Sequence, residues 1–163
     1  MMAMGTHCVD LLLFLLGQDI VEVAALTDGQ RRDSPLERLA IMCLRFNGGA
    51  LGTVCCGSRM PDPKNDATLY GSHGRMVLGD SLRTALQGSL EVVSDTVNAT
   101  ASYPQDALAL YKRQVEAFNE AIQHDAEPIA SGLDGLRVVQ VTVAMVESAS
   151  TGRAVKIAPL SVE

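Results

Sequence analysis

His7 and Asp10 stand three residues apart in an apolar run, MAMGTHCVDLLLFLLG, whose Val9, Leu12, Leu13 and Leu16 recur at helical spacing. On a helix that separation places imidazole and carboxylate on one face. Such a pair can shuttle a proton, because histidine titrates near neutrality and a neighbouring carboxylate selects its tautomer. The same two residues also suit a structural role, with His7 hydrogen-bonded inside the fold and Asp10 paired locally. Spacing alone leaves both uses open.

Other chemistry-bearing residues are less organised. Cys8, Cys43, Cys55 and Cys56 contain no CxxC pair, and His73 and His124 lie far from them in sequence, so no metal site is expected. Reduced core thiols are the expectation instead. Asn98, Ala99 and Thr100 spell a glycosylation acceptor, and nothing else in the chain points to secretion. Lys112 and Arg113 read as a solvated helix face, Tyr103 before Pro104 as a residue that could reach a cleft, and the seven methionines as packing.

The elements that must position these residues follow from periodicity. Residues 2–16 predict a mostly buried helix stopped by Gly17, and residues 20–28 (IVEVAALTD) predict a strand. Residues 29–35 read as a loop. Residues 38–47 and 50–58 flank Gly48 and Gly49 and predict a hairpin with an Asn-Gly-Gly turn. After a loop at 60–65 come short strands at 67–71 and 75–78, joined at Ser72, His73 and Gly74, then weaker strand signals at 84–86 and 90–93. Tyr111, Val115, Phe118 and Ile122 form one face of a helix over 107–124. A last helix over 134–151 has Asp134 as N-cap, Leu136, Val139, Val143 and Val146 as inner stripe, and Gly152 as stop; residues 153–158 close as a strand.

This order predicts an α+β fold: a single domain, residues 1–163, with a largely antiparallel or mixed open sheet and helices packed on one face. Within 38–46, Ala40, Met42, Leu44 and Phe46 alternate with Leu39, Ile41 and Cys43, so both sides of that strand need cover. The second side is expected to serve oligomerisation.

Several segments together resemble the C-terminal domain of the glucose-fructose oxidoreductase, inositol dehydrogenase and rhizopine-catabolism (Gfo/Idh/MocA) family. They are GTHCVDLLLFLLG at 5–17, FNGGALGTV at 46–54, YGSHGRM at 70–76 and SGLDGLRVVQVTVAMVESASTGRAVKI at 131–157. The resemblance implies an NAD(P)-dependent oxidoreductase acting on sugars or polyols such as inositol, with an N-terminal Rossmann domain binding NAD or NADP. It implies that the α+β domain supplies a substrate wall and much of the oligomer interface. His7 matches the histidine of the family's Asp-x-Gly-x-His helix, Gly5 its glycine, and Asp10 a supporting acidic residue. Ala3 stands where that helix has its Asp, no Glu-Lys-Pro is present, and Glu37 is followed by Arg38 where the family often has Glu-Asp.

No GxGxxG opens a helix, so no cofactor-binding residue is expected in this chain, and the isolated chain is expected to lack hydride-transfer activity. The expected partners are a missing or separate Rossmann domain, a second copy in a homodimer or higher oligomer, and a sugar-like or polyol-like small molecule. A non-catalytic scaffold or polyol-binding module that has lost redox chemistry is the alternative. Whether the chain is a fragment, a truncated product or a short protein stays open. With 163 residues, a formal charge of −6 and no basic run, a nucleic-acid role is disfavoured. The longest apolar run is too short to span a bilayer, and a cytoplasmic location is expected.

Overall fold

The computed structural model describes residues 2–29, 37–58, 60, 63–83 and 86–160, with Met2, Ala3 and Met4 described by backbone alone. The loop expected at 29–35 lies largely outside the described residues, as do parts of the loop at 60–65 and the strand start at Thr84. The architecture is α+β, with three helices and two four-stranded antiparallel sheets among the described residues. The chain divides into two compact units, Met1–Pro61 with Ala130–Glu163, and Asp62–Ile129.

In the first unit, helix α1 (Met2–Leu16) ends at Gly17, whose φ of 59° is left-handed and whose N–H donates to Leu13 O at 2.9 Å. Strands β1 (Ile20–Thr27), β2 (Leu39–Phe46) and β3 (Leu51–Gly57) form an antiparallel sheet. The β2–β3 turn is as predicted: Phe46 N–H donates to Ala50 O at 2.9 Å, and Gly49 takes φ 90°, a conformation that costs a side-chain-bearing residue energy.

On β2 the side chains alternate, with Ala40, Met42, Leu44 and Phe46 buried and Ile41, Cys43 and Arg45 exposed. Val9 of α1 and Met145 join that buried face, against which Cys8, Leu12, Leu13 and Leu16 also pack. Each such large apolar side chain contributes about 1.5–3 kcal/mol when fully buried. The opposite face of the sheet shows Leu26, Ile41 and Leu51 to solvent within this chain.

The final helix, α3 (Gly132–Thr151), departs from expectation at its start and in its packing. Its N-cap is Ser131, not Asp134: Ser131 Oγ accepts from Asp134 N–H at 3.3 Å, while Asp134 Oδ2 accepts from Ser131 N–H at 2.9 Å. This reciprocal box satisfies donors that helical bonding leaves open, so the helix begins two residues earlier than Asp134. The predicted inner stripe is also wrong. Leu136, Val139, Val143 and Val146 are 47–61 % exposed, whereas Val138, Val141, Thr142, Ala144, Met145 and Ser148 are buried.

Backbone hydrogen bonding accounts for that choice of face. Strand β8 is only Val155–Lys156, not the six residues expected, and pairs β1 at Glu22 and Val23. Past its end, Ala25 N–H donates to Ser148 Oγ at 2.9 Å, and Ser148 Oγ donates to Arg153 O at 2.6 Å. Thr142 Oγ1 returns its proton to Val138 O at 2.8 Å. The two hydroxyls on the buried face are therefore satisfied, as burial requires. Gly152 stops the helix at φ 68°, as predicted.

The second unit is a meander of β4 (Ala67–Gly71), β5 (Gly74–Gly79), β6 (Leu86–Ser94) and β7 (Asn98–Asp106), followed by helix α2 (Ala109–Gln123). Gly74 is needed for close approach, because a Cβ there would lie 2.2 Å from Val93 O. The two weak strand signals belong to one strand, β6, carrying a bulge between Leu86 and Gly88. Strand β7 was not predicted. Its sequence NATASYPQD is polar, every residue is exposed, and Pro104 is tolerated because β7 is an edge.

The register places Ala67, Leu69, Met76, Leu78, Leu90, Val92, Ala99 and Ala101 on one face of this sheet, and none is buried. Helix α2 has the predicted period but not the predicted burial. Tyr111, Val115, Phe118 and Ile122 are 55–65 % exposed, and Ala121, at 9 %, is the sole buried residue among those described in this unit. An amphipathic pattern specifies a face and leaves open what covers it.

Candidate functional site

Helix α1 presents His7 and Asp10 to solvent on the same side, one turn apart. Between them Val9 is buried and Cys8 half-buried, both packed into the core, which fixes the rotation of the helix and points the other two residues outward. No hydrogen bond joins His7 to Asp10 among the described residues. The predicted pair is thus brought to one exposed face without being coupled.

The cysteines divide by strand alternation. Cys8 and Cys56 lie in or against the core, as expected; burial pushes the Cys56 thiol up to about 11, with Cys8 adding to the effect. Burial likewise raises Cys8. Cys43 and Cys55, expected in the core, are instead exposed on the open face of the first sheet. Their odd-numbered positions point away from α1, a consequence of the period of two along a strand.

A cavity of about 190 Å³ sits at the far end of α1, lined by Leu13, Asp19, Arg137, Gln140, Val141 and Pro159 among others. It is smaller than the roughly 300–1,000 Å³ of ligand pockets. Its charges are internally matched: Arg137 pairs with Asp19 at 3.0 Å and Asp134 at 2.9 Å, while Gln140 Nε2 donates to Ala158 O at 3.4 Å. Leu13 is six residues from His7, roughly 9 Å along the helix axis, so this cavity is separate from the histidine. Sequence reading did not anticipate it, because its lining converges from four distant segments.

In the second unit, an open depression is lined by Lys64, Asp66, Asp80, Arg83 and Ser89. The bond from Arg83 to Asp80, helped by Gln87 Nε2 at 2.6 Å, holds the Asp80 carboxyl below its usual range. Asp66 Oδ1 accepts from Asp80 N–H at 2.9 Å. Asp80 is thus held by Arg83, Gln87 and Asp66. Elsewhere, Lys112 pairs with Glu116 at 3.7 Å on the exposed side of α2, and Tyr103 is exposed on β7. His73, in the β4–β5 turn, meets Asp95 at 3.3 Å with both side chains exposed.

The starts of α2 and α3 do not fit a dinucleotide pyrophosphate. A pyrophosphate needs free amides at a helix start. At α2, Leu108 and Ala109 N–H both donate to Asp106 Oδ1 at 3.0 Å, and at α3 Ser131 N–H donates to Asp134 Oδ2 at 2.9 Å while Asp134 N–H donates to Ser131 Oγ. The starts of α2 and α3 thereby each carry a carboxylate. The glycines at 71 and 74 bracket a hairpin turn and open no helix.

Residues 1–157 match the family described as "Oxidoreductase family, C-terminal alpha/beta domain". The 1,5-anhydro-D-fructose reductase of Ensifer adhaerens is 24% identical over 153 residues, covering 93% of this chain and 45% of that protein. Aldose-aldose oxidoreductase from Caulobacter crescentus, solved with glycerol, superposes with a TM-score of 0.79 at 21% identity, covering 94% of this chain and 46% of that one. An oxidoreductase from Agrobacterium radiobacter, in complex with NAD+, L-tartaric acid and magnesium, gives 0.75 at 21% identity, with 93% and 47% covered. The chain spans about half the length of the relatives it matches. The helix carrying His7, the antiparallel sheet beneath it and the capped closing helix are those of the C-terminal α/β domain of the Gfo/Idh/MocA oxidoreductase family, to which this chain belongs.

Proposed function

We propose that residues 1–163 act together as the substrate-binding and oligomerisation domain of an NAD(P)-dependent oxidoreductase of sugars or polyols. The observation that carries this reading is the outward presentation of His7 and Asp10 on a helix whose other side is locked into the core. In it, His7 is the catalytic residue that holds or moves the substrate hydroxyl proton, and Asp10 supports it electrostatically. The nicotinamide cofactor is held by a Rossmann domain, in a longer polypeptide or a separate chain; the carboxylates at the starts of α2 and α3 support placing its pyrophosphate there. The isolated chain does not transfer hydride.

The open face of the β3-β2-β1-β8 sheet is the contact with a second copy. It carries Leu26, Ile41 and Leu51 beside the Arg45–Glu22 ion pair of 2.8 Å. Free thiols at Cys43 and Cys55 accord with work in the reducing cytoplasm. No helix among the described residues is long and apolar enough to cross a membrane.

Titrating the isolated chain with a panel of sugars and polyols, followed by NMR, tests the site. Chemical-shift changes centred on His7 and Asp10, abolished by His7→Ala, are expected; changes confined to other regions overturn the assignment. Sedimentation at several concentrations tests the interface, with Ile41→Glu expected to give a monomer. A second reading, a scaffold that has lost redox chemistry, is favoured by Ala3 in place of the helix Asp. A reconstituted two-domain enzyme whose turnover is unchanged by His7→Ala would select it.

A further inference from the structure

We draw no further inference here: the strongest candidate, the uncovered apolar stripe of α2 formed by Tyr111, Val115, Phe118 and Ile122, is an exposed helix face for which nothing in the structure shows what covers it.

Discussion

The two units of this chain have similar secondary-structure content and opposite interiors. In the first, α1 and α3 seal one face of a sheet around Phe46, Met42, Met145, Val9 and Val23, all almost fully buried. In the second, four well-paired strands and an amphipathic helix bury almost nothing, although the middle of one face of the sheet is apolar. Hydrogen-bonded pairing and apolar composition are therefore insufficient for a core; a second layer must cover the apolar face. Stability within this chain accordingly resides in the unit that carries His7, which suits the role proposed for that residue.

The largest test of that contrast is a matched pair of truncations. Phe46→Ala is expected to cost about 3–5 kcal/mol in urea denaturation. Val92→Ala, a half-buried position on the sheet of the second unit, should cost less than about 1.5 kcal/mol. Equal losses would mean that the second sheet is buried as well as the first.

Next is Ser148→Ala, which strands the N–H of Ala25 and the carbonyl of Arg153 and is expected to cost about 1–3 kcal/mol. Ser102→Ala on the exposed edge β7 should stay within about 0.5 kcal/mol. Indistinguishable midpoints for the two variants would show that the α3-to-β1 tie carries no stability.

The Ser131 cap comes third. Ser131→Ala should cost about 1 kcal/mol, read from the same denaturation curves. The backbone N–H and side chain of Ser131, then Arg137, hold the Asp134 carboxyl below its usual range. A carboxyl lowered on folding contributes stability above its unfolded value of about 3.9 and loses it as pH falls through the lower folded value. The difference between wild type and Asp134→Asn is therefore expected at neutral pH and should shrink below about pH 4. A difference that grows on acidification would contradict the assigned direction.

A small effect is also expected at His73→Ala. The His73–Asp95 pair is exposed at both ends, and such pairs contribute about 0–1 kcal/mol. A larger loss would indicate that the hairpin tips of the second unit are under more constraint than its open faces suggest.

Legibility followed the range of the interactions involved. The 46–50 turn, the run of α1 and the glycine stops at 17 and 152 were readable because each depends on a few adjacent residues. Strand β7 was not, since an edge strand exposed throughout needs neither alternation nor β-branched residues, and NATASYPQD has the composition of a loop. The cap of α3 lies three residues before the expected Asp134 because Ser131 and Asp134 share it, and in the sequence the carboxylate is the more conspicuous of the two. Its buried face was missed because the helix is apolar on both sides, so hydrophobicity could not choose between Val139 and Val138.

The candidate site divides in the same way. Spacing by itself determined that His7 and Asp10 share a helix face, that the fold is α+β, and that no Gly-rich turn opens a helix. Only the tertiary structure decided that this face looks outward, that Cys43 and Cys55 are exposed while Cys56 is buried, and that the α2 stripe has no cover here. Local geometry follows from chain chemistry within a turn or two; burial depends on which distant segment arrives, and that is set by the sum of many packing and hydrogen-bonding contacts across the sheet.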